Sequence, residues 1–247
     1  MKLVRCMKLC GHGILILNNM GTSATRSYTL TASLICANML ELGEEIKRLE
    51  KGGIESLHFD VMDALFVPRY GLHPEMLAEI RSITSLPIHV HAMVEDIEPY
   101  IETFVKAGAT TIMPHVESHR HLHRALKKIR DAGANAGAAL NLATPLNVLD
   151  YVLDDIQVVM LMAINPGIVG HKLIPRVLDK ISDLKKKFAG RAIEIEIDGG
   201  VTPESAPEMV RRGATRLVCG SSTIFKQGEN VAERIKDLQE TIDANLK

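Results

Sequence analysis

From Tyr28 onward the chain alternates two kinds of segment. Short apolar or β-branched runs ending in polar residues read as strands: 29–35, 56–62, 88–94, 110–116, 134–141, 158–164, 192–198 and 216–219. Between them, apolar positions recur at helical spacing over 40–51, 74–83, 97–107, 121–132, 146–153, 175–188, 203–212 and 230–246. The pattern predicts eight strands and eight helices in strict alternation, in units of about 27 residues, a comfortable length for a β–α repeat. Gly53, Gly108, Gly133 and Gly213 each stand between a helical stretch and the next strand, where glycine suits the left-handed residue that ends a helix. Two architectures accept such a repeat. A doubly wound open sheet that binds a dinucleotide would carry GxGxxG after its first strand, and none is present. The expectation is therefore a single (β/α)8 TIM barrel over residues 29–247.

Composition narrows the function classes. Lys plus Arg number 29 and Asp plus Glu 30, a formal charge of −1, so no basic field draws the chain to nucleic acid or an anionic membrane. No run of about 18 apolar residues is available to span a bilayer. Cys6, Cys10, Cys36 and Cys219 form no CxxC pair, and four thiols in a chain this long read as free cysteines in a reducing, cytoplasmic setting. Residues 1–28 stand apart. Lys2, Arg5 and Lys8 precede a short apolar stretch, as in a secretory signal, but Gly11-His12-Gly13 interrupts it and no small-x-small cleavage site follows. The expectation is a poorly ordered extension, with Met20 as an alternative start.

In a barrel of this kind, chemistry sits at the carboxyl ends of the strands. The second strand carries His58-Phe59-Asp60 and the third His89-Val90-His91, while the seventh ends on Asp198. Residues i and i+2 share a face of a strand, so each pair can converge in the barrel mouth. Imidazole with carboxylate is the donor mixture that suits Zn²⁺, Mn²⁺ or Fe²⁺. Taken singly, each of these groups reads as a hydrogen-bonded strand end; taken together they point to a metal. Gly199-Gly200 follows the seventh strand and Gly220-Ser221-Ser222 the eighth, the two positions where such barrels commonly cradle phosphate. Gly167 and Gly170, after the sixth strand, suit a lid. Met62, Met93 and Met162 fall near strand ends, which fits either core filling or a polarisable wall.

These segments resemble the ribulose-phosphate 3-epimerase family. The resemblance rests on Leu57-His58-Phe59-Asp60-Val61-Met62-Asp63, Phe66-Val67-Pro68, Val90-His91-Ala92-Met93-Val94, Leu140-Asn141-Leu142-Ala143-Thr144-Pro145, Asn165-Pro166-Gly167 and Glu196-Ile197-Asp198-Gly199-Gly200-Val201, and runs from about Thr31 to Phe225. It implies one divalent metal ion on His58, Asp60, His91 and Asp198. Asp60 and Asp198 would also be the acid/base pair that inverts C3 of a ketose phosphate through a metal-stabilised enediolate. Ser33 and His91 would contact substrate, Met62, Met93 and Met162 would cushion it, and Gly167, Gly170, Gly199, Gly200, Gly220 and Ser221 would hold it. It also implies a homo-oligomer.

Four departures from the family pattern stand out, and the first, third and fourth bear on the substrate. His89 stands where the family usually has Asp, and reads as a structural partner of another side chain. Ala64-Leu65 replaces Gly and a polar residue, Arg69-Tyr70-Gly71 replaces an Asn-led segment, and Ile168-Val169-Gly170-His171-Lys172 replaces a Phe-Gly-Gly-Gln lid. A six-carbon ketose phosphate such as allulose 6-phosphate is thus an alternative substrate. A non-catalytic sugar-phosphate binder is a further alternative. A decarboxylase or aldol-type synthase on the same barrel would want a lysine, and Asp60-Val61-Met62-Asp63 has none.

Overall fold

The computed structural model describes residues 26–168 and 172–247. Eight parallel strands close on themselves in sequence order: β1 (Thr29–Ser33), β2 (Ser56–Met62), β3 (Ile88–Met93), β4 (Thr111–Pro114), β5 (Asn135–Leu140), β6 (Val158–Met162), β7 (Glu194–Asp198) and β8 (Arg216–Cys219). Thr29 lies beside Arg216, which joins β1 to β8 and leaves no sheet edge. The single (β/α)8 barrel expected from the alternation is thus the fold. Seven α-helices surround it among the described residues: α1 (Leu42–Gly52), α2 (Pro74–Ile83), α3 (Ile101–Ala107), α4 (Leu122–Asp131), α5 (Val177–Lys187), α6 (Ala206–Arg212) and α7 (Val231–Leu246).

The eighth expected helix, 146–153, is not formed. A 3₁₀ turn covers Leu146–Leu149, and Asp150, Val152 and Asp155 go on donating to carbonyls three residues back. Asn147, Val148, Asp150, Val152, Asp154 and Asp155 are all weak helix formers. Buried Leu149, Val152 and Ile156 hold the segment on the barrel, so its apolar spacing reflects packing rather than an α-helix.

Two cores follow from the strand period of two. Outward residues such as Leu57, Phe59, Val61, Val90 and Ile112 join the helices' buried faces in one large apolar cluster. Inward residues differ around the barrel. Met113, Ala139, Val158, Met160 and Met162 fill one side with apolar volume. The other side is polar: Thr31, Ser56, His58, Asp60, His89, His91, Glu196 and Arg216 are all buried. At the amino end Tyr28 is buried, and its hydroxyl donates to Asp243 (2.8 Å), which also receives Arg26. The expectations for residues 1–25, including Cys6, Cys10 and the signal-like stretch, lie outside the described residues.

Gly53, Gly108, Gly133 and Gly213 all have positive φ, as their places between helix and strand predict. At Gly53 (φ +86°) a Cβ would meet no atom within 4 Å, so its cost there is conformational alone. Gly53→Ala should lower stability by about 1–2 kcal/mol through the left-handed backbone and leave activity unchanged. Urea denaturation checks this, and an unchanged midpoint would count against the helix-end assignment.

Candidate active site

The carboxyl ends of the strands open into a cavity of about 600 Å³. Its lining includes Ser33, Asp60, Met62, Met93, Met162, Gly167, Asp198, Gly199, Gly200, Gly220 and Ser221. His58 and His91 lie beneath this surface, fully buried. Gly170 lies outside the described residues.

Below the cavity the side chains of His58, Asp60, His91 and Asp198 converge, with one donor atom from each within 4.8 Å of all the others. His58 Nε2 is 3.2 Å from Asp60 Oδ1 and 3.8 Å from Asp198 Oδ2. His91 Nδ1 is 3.2 Å and 3.5 Å from the same two oxygens. Four donors arranged tetrahedrally at Zn–N and Zn–O lengths of about 2.0–2.1 Å stand roughly 3.4 Å apart, so this set has the right span for a divalent cation. The strand register produces it: Asp60 lies beside His91 across β2 and β3, and Met162 beside Asp198 across β6 and β7.

The surrounding hydrogen bonds decide which ring nitrogens carry protons. A carboxylate can only accept. His58 Nδ1 lies 3.0 Å from Glu196 Oε1, so Nδ1 carries a proton and Nε2 faces the cluster. His58 Nε2 is buried, and Asp60 Oδ1 at 3.2 Å and Asp198 Oδ2 at 3.8 Å are the polar atoms it faces. On the other side His115 Nδ1 donates to Glu117 Oε2 at 2.9 Å, and its Nε2 lies 2.9 Å from His91 Nε2, where one of the two rings donates to the other. His91 Nδ1 faces the cluster, 3.2 Å from Asp60 Oδ1. Two imidazole nitrogens and two carboxyl groups face one another, an arrangement of donors that a cation can satisfy in place of protons.

The titration behaviour of these groups diverges. Burial pushes the Asp60 carboxyl up, but the His58 and His91 rings outweigh it and hold Asp60 well below the usual carboxylate range. Ser33 Oγ donates to Asp60 Oδ2 at 2.8 Å, which also favours the ionised form. Burial raises Asp198 to about 7; the neighbouring Asp60 and Glu196 charges add to this and the His58 ring opposes it. Burial lowers His91 to about 4, aided by the nearby His115 and His58 rings. One carboxyl group is thus ionised at neutral pH and the other titrates near it, the separation that acid and base roles require.

The glycine loops have their own constraints. Gly199 (φ +91°) and Gly200 (φ +64°) adopt left-handed backbone, and a Cβ on Gly200 would stand 2.9 Å from the Leu173 Cα. The amides of Gly200 and Ser222 donate to no acceptor among the described residues, and both residues line the cavity with Lys172. Backbone N–H groups of this kind suit a phosphate.

The sequence matches the ribulose-phosphate 3 epimerase family over residues 29–225. The chain belongs to this family. It is 42% identical to the ribulose-phosphate 3-epimerase of Bacillus subtilis over 193 residues, covering 77% of this chain and 89% of that one. It is 39% identical to the chloroplastic ribulose-5-phosphate-3-epimerase of Arabidopsis thaliana, covering 85% and 75%. Against the Escherichia coli K12 ribulose-phosphate 3-epimerase the identity is 37%, covering 82% and 91%. Among solved structures, KGPDC from Streptococcus mutans in complex with D-R5P superposes with a TM-score of 0.71 over 90% of this chain and all of that one. At 14% identity that likeness bears on the fold alone. As a member of the epimerase family the protein is an isomerase, of the class acting on carbohydrates, as its sequence motifs imply. Among the described residues no helix is long and apolar enough to cross a membrane.

His89 meets the expectation for it: its Nδ1 bonds Glu196 Oε2 at 3.0 Å, and it is outside the four-residue cluster. The sequence reading missed His115 and Glu117. Their signal was present, because His115-Val116-Glu117, directly after β4, has the same i, i+2 spacing as His58-Phe59-Asp60. Glu196 was visible only as part of a strand, without a role.

Proposed function

We propose that the protein inverts C3 of a ketose phosphate, ribulose 5-phosphate to xylulose 5-phosphate in the first instance, by proton transfer between Asp60 and Asp198. The observation that carries this reading is the pairing of an ionised Asp60 with a protonatable Asp198 beside the same donor cluster. The substrate phosphate sits on the Gly199–Gly200 and Gly220–Ser221 loops, which directs the sugar toward the cluster. Asp60 removes the C3 proton from one face, and Asp198 delivers a proton to the other. Met62, Met93 and Met162 exclude water with a polarisable wall, Ser33 holds Asp60, and Gly167 and Gly170 border the sugar.

One divalent metal ion fits His58, Asp60, His91 and Asp198. Zn²⁺, Mn²⁺ and Fe²⁺ all accept this mixture of nitrogen and oxygen donors, and such an ion would supply Lewis-acid stabilisation of the charge that develops on the substrate oxygens. The same reading includes a homo-oligomer, checked by light scattering. It also includes a cytoplasmic location, which free thiols at Cys36 and Cys219 support.

Arg69 lines the cavity, in the segment that departs from the family pattern, so a six-carbon ketose phosphate belongs beside the pentose in any assay. Metal-loaded protein incubated with ribulose 5-phosphate in D₂O should exchange the C3 hydrogen and form the epimer, followed by proton NMR. Faster exchange of allulose 6-phosphate would move the assignment to the six-carbon sugar. No exchange with either would overturn the epimerase reading.

A further inference from the structure

Glu196 is wholly enclosed in the barrel at 0% exposure. Its carboxylate makes two hydrogen bonds among the described residues, one per oxygen: His58 Nδ1 at Oε1 and His89 Nδ1 at Oε2, each 3.0 Å. A third group competes for it. Arg216 Nε stands 3.5 Å from Oε2 without a hydrogen-bond partner among the described residues, while its Nη1 donates to Ser56 (2.9 Å) and its Nη2 to Glu194 (2.6 Å). The guanidinium is therefore anchored at two corners, and the third faces Glu196.

A carboxylate that accepts from two imidazoles on adjacent strands has both oxygens assigned. If the His89 donor is lost, Oε2 becomes an unsatisfied buried acceptor. The nearest remaining donor is Arg216 Nε, a charged group and a stronger attractor than a neutral ring. Rotation of the carboxylate toward it withdraws Oε1 from His58. The His58 Nδ1 proton then has no acceptor, and the alternative tautomer, with the proton on Nε2, is no longer disfavoured. That proton would block the lone pair that faces Asp60 and Asp198.

We propose that His89 is a positioning residue for the metal site: by holding Glu196 Oε2 it keeps Oε1 on His58 and fixes the ring with its Nε2 lone pair toward the cluster. The inference rests on the metal-centre reading of His58, Asp60, His91 and Asp198. His89 touches neither substrate nor cation, and acts through Glu196 and His58. Loss of the group that holds a ligating histidine typically weakens metal affinity by about 10–100-fold, and losing His89 acts by withdrawing that group, Glu196, from His58.

Three proteins test it: the full chain, His89→Leu, which removes the donor, and His89→Asn, whose side-chain amide offers a donor close to where Nδ1 lies. Zinc dissociation constants come from competition with a chromophoric chelator, cobalt spectra report the donor set, and imidazole ¹⁵N shifts of the zinc-loaded protein report the tautomer of His58. The expected result is zinc binding weakened by about 10–100-fold in His89→Leu, with a changed cobalt spectrum, and binding within about threefold of the parent in His89→Asn. The parent should show His58 protonated at Nδ1. Zinc affinity in His89→Leu within about twofold of a parent that binds zinc overturns the inference and leaves the metal centre standing. Failure of the parent to bind zinc or cobalt overturns both. If His89→Leu does not fold, the parent's ¹⁵N spectrum decides: a His58 proton at Nε2 overturns the proposal, and one at Nδ1 supports it together with retained affinity in His89→Asn.

Discussion

Asp198→Asn should cut C3 hydrogen exchange by about 10²–10⁴-fold, the usual contribution of a positioned acid or base, while phosphate binding is retained. Asparagine keeps the shape of the side chain, and its amide oxygen can still face the cluster. It cannot take up or release the proton that Asp198, held near 7 by burial, exchanges at neutral pH. The phosphate loops do not depend on this proton, because backbone amides after β7 and β8 form them. The experiment also separates an enzyme from a binder. Exchange should be measured at saturating metal, so that weaker ligation does not imitate lost acid/base function, and inorganic phosphate binding should be titrated in parallel. Unchanged exchange would remove Asp198 from its role. Absence of exchange in both the parent and the variant, with phosphate bound equally, would favour a non-catalytic sugar-phosphate-binding barrel.

Stripping divalent ions with a chelator should abolish exchange and lower the melting temperature. A ligand at about 100 times its dissociation constant stabilises the folded state by about 2.7 kcal/mol, or roughly 5–10 °C for a chain of this size. The difference should grow with pH. The folded-state value of Asp198 is raised to about 7, and that of His58 lies above its ordinary value because Asp60, Glu196 and Asp198 outweigh the effect of burial. A group raised on folding contributes stability below its unfolded value and loses it as pH climbs through the folded one. His91, lowered to about 4 in the folded state, opposes this only weakly, because its unfolded ring is already about half neutral at pH 6.5, so the metal-free protein should become less stable between pH 6.5 and 8. A cation competes with those same protons, so the loaded protein should lose less stability, and metal uptake should release protons in weakly buffered solution. Melting curves at pH 6.5 and pH 8, with and without chelator, check this. A gap that narrows as pH rises would contradict the assignment of Asp198 to the metal site.

Repetition and period were legible in the sequence. Alternating short apolar runs and amphipathic stretches sufficed for the barrel, because each β–α unit signals itself locally through side-chain spacing, and four of them through a glycine before the next strand as well. The pairs His58 with Asp60 and His89 with His91 were legible for the same reason: two residues apart on a strand means one face. Local signals failed where packing overrode them. The segment after β5 has apolar residues at near-helical spacing, yet its weak helix formers settle into successive 3₁₀ turns against the barrel wall.

What the sequence could not determine was which side chains meet across the closed barrel. Glu196 bonds His58 across 138 positions and His89 across 107, and the pairing depends on strand register and closure, to which no local window has access. The order of His91, His115 and Glu117 in one hydrogen-bonded line likewise appears only when β3, β4 and the segment beyond β4 lie side by side. The residue types for a metal site are therefore written in the sequence. The tautomers and charge states that make it one depend on a buried, low-dielectric interior where each polar group must find a partner, and tertiary structure alone assigns those partners.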